Sequence, residues 1–399
     1  MITFSFSGQH YQTGRIIGDI EGSASGPVLM FIAGIHGNEP SGVLALHEVF
    51  DELEAAQTPI QGRLIGVTGN LPALARNARF ISKDLNRIWN RNFMDIYRGR
   101  SDSFPGADQI TSDDAVAEHA EQVELFRLIE PFIDQDRPTY FIDLHTTSAP
   151  SVPFIAINDQ LNNRSFALQF PVPTVLGIEE YLEGPLLSYL NDFGPVAIAF
   201  EAGQDDDPES VHTHKAFIYR AIVAAGLIDE SQIPGDQSSK DEHQLRLEKL
   251  GSPHHDFFEV VFRKAITADD GFKMRPGYRN LAHVGKGELL AKDHDGEIRA
   301  PMRGQIFMPL YQSTGEDGFF IVRRIPLWAL KLSSVLRKIN FERFLTLLPG
   351  VSKSREHPDA LIVNKQVARF LAKQIFHLLG YRRKQDDGKV MIFSRREIV

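Results

Sequence analysis

Two polar clusters stand where apolar runs end, and both carry side chains that ligate metals. The first is Gly34-Ile35-His36-Gly37-Asn38-Glu39-Pro40-Ser41-Gly42, directly after Val28–Ala33. His36 and Glu39, three residues apart around a turn, can aim an imidazole nitrogen and a carboxylate at one point, and zinc accepts both at about 2.0–2.2 Å. Alone, such a pair also reads as a surface loop with a capping acid. The second cluster, Tyr140 to Ser148, contains His145, which completes a His/Glu/His set and leaves a fourth position for water, as catalytic zinc requires. Asp143 lies two residues before His145 and so points to the same side of a strand. It can orient a ligating imidazole or serve a purely structural role.

Two further groups fit hydrolysis. Glu201 ends the run Val196–Phe200 and can act as general base toward a water, then return the proton to a leaving nitrogen; by itself it also reads as a surface acid. In Arg79-Phe-Ile-Ser-Lys-Asp84-Leu-Asn86-Arg87, Arg87 with Asn86 can clamp a carboxylate and Arg79 can stabilise an oxyanion. The bland alternative is a set of surface ion pairs.

These residues must be held by an alternating framework. Val28–Ala33 suits a strand buried on both faces. Arg63–Thr68, Thr139–Leu144, Val152–Ile157, Thr174–Ile178 and Val196–Phe200 read as further strands; Ser41–Leu53, Ala115–Ile129 and Val211–Ala225 read as helices. Strands alternating with helices imply an α/β layered domain with a parallel or mixed sheet, over residues 1–228. Residues 229–253 are polar and read as a linker, 254–330 as a small all-β domain punctuated by turns, and 331–399 as an extension with an amphipathic helix over Pro358–Leu379.

The whole chain has 399 residues, enough for two domains, with 42% hydrophobic and 24% charged residues and a formal net charge of −9. No basic stripe suggests nucleic acid, and the clusters Tyr381–Lys384 and Arg395-Arg396 read as a solvated face. The absence of cysteine excludes disulfides and thiolate metal sites. No signal-peptide pattern or membrane-length apolar run is found, so a cytoplasmic protein without a membrane partner is expected. His212, His214, His254 and His255 read as surface or structural residues.

Taken together, Gly-Ile-His36-Gly-Asn-Glu39, Asp84-Leu-Asn86-Arg87, Asp143-Leu-His145 and Glu201-Ala-Gly-Gln204 resemble, in order, the succinylglutamate desuccinylase/aspartoacylase family, across roughly residues 25–225. The resemblance implies a zinc carboxypeptidase-like mixed sheet flanked by helices, with a smaller β-rich C-terminal domain narrowing the active-site channel. It implies one Zn2+ held by His36, Glu39 and His145, a base at Glu201, oxyanion stabilisation by Arg79, and substrate binding by Asn86 and Arg87. Two departures bear on the substrate. Aspartoacylase-like members carry an Arg about ten residues before the catalytic Glu, where this chain has Asn191, and no Arg occurs between Arg164 and Arg220. The family's substrate-covering Tyr has its nearest counterpart in Gly318-Phe319-Phe320, with Tyr311 the nearby phenol. The expected activity is zinc-dependent hydrolysis of the amide in an N-acyl amino acid or similar small carboxylate-bearing molecule, with a side chain less acidic than aspartate. A metallocarboxypeptidase acting on short peptides is the alternative. A non-catalytic binding relative is a third reading, against which the intact Glu201 argues. Oligomeric state, including a homo-oligomer, is left open.

Overall fold

The computed structural model describes residues 1–89, 117–133, 135–251, 256–341, 345, 347, 350–353, 360–364, 379–386 and 390–395. The chain opens with a hairpin, Ile2–Phe6 (β1) and Gln9–Thr13 (β2), and an edge strand, Ile16–Glu21 (β3). Val28–Ala33 (β4), Arg63–Thr68 (β5), Thr139–Thr147 (β6), Phe154–Ile157 (β7), Thr174–Leu176 (β8) and Val196–Gln204 (β9) follow.

β4 explains the layering. Leu29, Phe31 and Ala33 enter one core, with the helices Ser41–Ala55 and Glu209–Ala224, while Val28, Met30 and Ile32 enter a second, with Leu125, Phe126 and Ile129 of the helix Ala117–Ile129. Alternate side chains on both faces meet apolar partners, which is why the run is unbroken by polar residues. β6 and β9 run past the ends expected from hydrophobicity, to Thr147 and Gln204, because they pair with each other in parallel through His145↔Glu201. Their polar ends are buried in a site, not released to solvent.

The later strands are Phe257–Ala265 (β10), Lys273–Met274 (β11), His283–Val284 (β12), Leu289–Asp293 (β13), Gly296–Arg299 (β14), Gly304–Phe307 (β15) and Asp317–Ile325 (β16). β10 pairs in parallel with β8, Phe257 against Thr174. A single mixed sheet of eleven strands results, in the order β12-β15-β16-β10-β8-β7-β9-β6-β4-β5-β3, beside which β11, β13 and β14 form a small sheet. The β-rich region is thus stitched to the α/β sheet through backbone pairing.

The stretch expected as a linker holds a 3-10 turn, Glu230–Gln232, and the helix Gln237–Leu250. Its polar composition misleads because the helix lies against the molecule along one narrow line. Leu247 is buried, His243 stacks on Tyr219 with ring centroids 4.8 Å apart, and Arg246 donates to Thr213 Oγ1. Within the stretch expected as the helix Pro358–Leu379, Ala360–Asn364 is a strand, and residues 365–378 lie outside the described residues. This short run of branched residues alternates buried Leu361 and Val363, a strand period that a helical reading overlooks. It joins Val351–Lys353, Tyr381–Asp386 and Val390–Arg395 in a separate four-stranded sheet. The helix Leu327–Lys338 fastens this extension to the core, with Arg337 Nη2 2.8 Å from Asp159 Oδ2, both side chains buried. Among the described residues no helix is long and apolar enough to cross a membrane.

Candidate metal centre and active-site cavity

Topology brings the sequence-predicted ligands together. β4 and β6 are parallel neighbours with Ala33 opposite Leu144, so the loop leaving β4 passes beside His145. Gly34 turns that loop with φ +69°, in the left-handed region open to glycine. A Cβ on Gly37 would stand 2.1 Å from the carbonyl carbon of Ala73, so only glycine lets the loop lie there. The Gly37 N–H donates to the Arg79 carbonyl at 3.2 Å, which draws the arginine segment to the same place.

His36, Glu39 and His145 are all buried, and one donor atom of each lies within 4.8 Å of the others. The imidazole centroids are 5.1 Å apart, close enough to share an ion. Nδ1 of His36 lies 2.8 Å from Glu39 Oε1 and Nδ1 of His145 lies 2.8 Å from Glu39 Oε2. The opposite edges of both rings face acids: His36 Nε2 is 3.1 Å from Asp84 Oδ1, and His145 Nε2 is 2.8 Å from Asp143 Oδ2. Carboxylates on the outer nitrogens are the usual support for ligating histidines. Two imidazoles and a carboxylate converging without a thiolate form a nitrogen-and-oxygen donor set that suits a divalent cation of zinc's class.

Glu201 stands on the strand next to His145, as its register partner. One of its carboxylate oxygens is buried without a hydrogen-bond partner. Burial pushes this carboxyl well above its usual range; His145 opposes the shift, and Glu39, Asp205 and Asp143 add to it. Asp205 is raised to about 7 by burial and by Glu39. For Glu39 itself, burial raises the carboxyl, but the two imidazoles outweigh it and hold it below the ordinary range. Burial of His145 disfavours its charge, yet Asp143 and Glu39 carry it well above the usual imidazole value.

Arg79 lies half-buried beside the centre, with Nη2 donating to Asp84 Oδ2 at 3.1 Å and Nη1 3.6 Å from Glu39 Oε1. Asn86 Oδ1 accepts the Leu186 N–H at 2.9 Å, and its Nδ2 lies 3.5 Å from His145 Nε2. Arg87 reaches Asp317 Oδ2 at 3.4 Å, on β16. Arg79, Asn86 and Arg87 line one cavity of about 610 Å³ with His36, Glu39, His145 and Glu201, so all seven sequence-predicted site residues meet there.

Other expectations end elsewhere. Asn191 is fully buried and donates to the Ala197 carbonyl at 3.3 Å, while also accepting from Asn163. The Tyr311 hydroxyl is spent on the backbone, donating to the Arg275 and Tyr278 carbonyls at 3.0 and 3.2 Å; Phe320, in contrast, lines the cavity. His212 is exposed. His214 is fully buried, its Nδ1 3.2 Å from Ser41 Oγ, and burial drives its pKa down to about 3. His254 and His255 lie outside the described residues. Asp84 sits within the Asp84-Leu-Asn86-Arg87 motif without a role legible from sequence, and Arg263 and Asp317 reach the cavity from strands with no local signature.

Residues 25–223 match the model of the succinylglutamate desuccinylase/aspartoacylase catalytic domain. A succinylglutamate desuccinylase from Photorhabdus laumondii is 29% identical over 158 residues, 39% of this chain and 43% of the relative, so the matched stretch spans under half of that protein's length. In three dimensions the chain resembles the succinylglutamate desuccinylase/aspartoacylase from Rhodobacter sphaeroides, with TM-score 0.54 and 18% identity over 77% of this chain and 88% of that one. It also resembles the succinylglutamate desuccinylase from Vibrio parahaemolyticus, with TM-score 0.53 and 15% identity over 76% and 83%. The ordered motifs, the domain match and the shared fold agree, and the chain belongs to the succinylglutamate desuccinylase/aspartoacylase family.

Proposed function

We propose that this protein is a zinc-dependent hydrolase that cleaves the amide of an N-acyl amino acid or a similar small carboxylate-bearing substrate. The observation that carries the reading is the buried convergence of His36, Glu39 and His145 with the Glu201 carboxyl on the adjoining strand. Zinc held by those three side chains would act as a Lewis acid and lower the pKa of water at the open position.

The chain's own groups account for the rest. Glu201, whose carboxyl is raised by burial, takes the proton of the attacking water and passes it to the departing nitrogen. Arg79, held by Asp84, donates to the carbonyl oxygen as it gains charge. Arg87 and Asn86 grip the substrate carboxylate. Residues 1–228 carry this chemistry, and residues 254–330 shape the mouth through Arg263, Met308 and Asp317, which line the same cavity.

Purified protein loaded with zinc should release free amine from an N-acyl amino acid. Glu201→Gln should lower turnover by about 10²–10⁴-fold while metal content, measured by atomic emission, stays at one ion per chain. Full activity in that variant removes Glu201 from the mechanism. Faster turnover of blocked dipeptides than of N-acyl amino acids would favour a carboxypeptidase.

A further inference from the structure

We propose that the part of the cavity floored by Ala156 and Ala199 is a subsite for an uncharged, apolar substituent beside the scissile amide, so that the substrates are N-acyl amino acids with an aliphatic or aromatic group and not dicarboxylates. This rests on the deacylase reading above and specifies it. Ala156 and Ala199 are register partners on β7 and β9. Ala199 lies two residues before Glu201, so both point to one face of the strand. Side chains that end at Cβ leave space next to the general base where a larger residue would fill it. Ile178, Leu182, Leu187 and Phe320 wall that space, and all belong to the apolar cluster beneath it.

The charges of the cavity point the same way. Its arginines are each matched by a carboxylate of the chain: Arg79 by Asp84, and Arg87 and Arg263 by Asp317. Glu179, Glu201 and Glu316 add further acids to the lining. Asn191 is fully buried and its amide is consumed in the core. A second substrate carboxylate placed on the alanine floor would be desolvated without a cation, which is costly, whereas a methylene there is favoured by roughly 10–200-fold over its absence.

The test measures kcat/KM for N-acetylglycine, N-acetylleucine, N-acetylphenylalanine, N-hexanoylglycine, N-acetylaspartate and N-succinylglutamate with zinc-loaded protein. The expected result is at least about a tenfold gain over N-acetylglycine for an apolar group, with both dicarboxylates below it. A gain with leucine or phenylalanine places the subsite on the amino-acid side; a gain with hexanoyl places it on the acyl side. Ala156→Leu should erase the gain, lowering kcat/KM for the favoured apolar substrate about tenfold more than for N-acetylglycine, and Ile178→Arg should raise the rank of N-acetylaspartate. Preference for the dicarboxylates, or an equal loss on every substrate in Ala156→Leu, overturns the subsite. Calorimetric binding of the same compounds to Glu201→Gln reads the ranking without turnover, so an inactive wild-type protein would overturn the deacylase reading while the subsite is judged by affinity alone.

Discussion

On one side of the cavity, His36, Glu39, His145 and Glu201 sit at the ends of three neighbouring strands and touch one another or one another's partners. On the other side, Met308, Leu310 and Asp317 arrive from a loop and strand more than a hundred residues later in the chain, joined to the first side by Asn38 Nδ2 donating to Gln312 Oε1 at 3.1 Å and by the Arg87–Asp317 pair. The first side is buried and densely cross-bonded, so a substitution there strands a buried partner. The second is looser, and its pairs retain some exposure. On the proposed function, reaction and selection would be mounted on parts of the fold that differ in how much change they tolerate.

That contrast is sharpest at Arg79. Replacement by alanine should lower kcat by about 10²–10³-fold with a smaller change in KM, because the group is aimed at charge that develops during reaction; steady-state kinetics check this, and a pure KM effect would move Arg79 to the selecting side. The buried packing behind the first side is probed by acid. His214, fully buried, has its pKa depressed by that burial from 6.5 to about 3, so the unfolded chain binds the extra proton between those values. Its contribution to stability is intact above pH 6.5 and falls on acidification through that window, by up to about 1.4 kcal/mol per pH unit. Denaturant titrations should show a flatter acid limb in His214→Phe; an unchanged slope would mean that the interior there is wetter than the geometry indicates. The mildest effect belongs to the second side. Asp317→Asn frees Arg87 and Arg263 from a partly exposed acid and should improve kcat/KM for N-acetylaspartate roughly two- to fivefold, the scale of such pairs. A loss of a hundredfold would show that Asp317 belongs with the reacting groups.

The legibility of the sequence follows the same division. β4 and β5 were readable to the residue, because a strand with both faces buried leaves an unbroken apolar run. The candidate ligand positions stood out because polar residues follow such runs abruptly. The same abruptness hid the true ends of β6 and β9, where functional side chains continue the strand. Arg263 and Asp317 were not legible, since nothing local distinguishes an arginine on a half-buried strand from a solvated one; only the pairing of β10 with β8 places it. Asn191 illustrates the reverse, a residue singled out by its spacing that the fold uses in the core.

The parallel join of β8 to β10 carries one last consequence. Backbone hydrogen bonds run across the seam between the chemical framework and the wall that faces it, and swinging that wall outward would tear a sheet from its middle. The strands that carry Arg263 and Asp317 are accordingly held in one continuous sheet with the strands that carry His145 and Glu201, and are not hung from a linker.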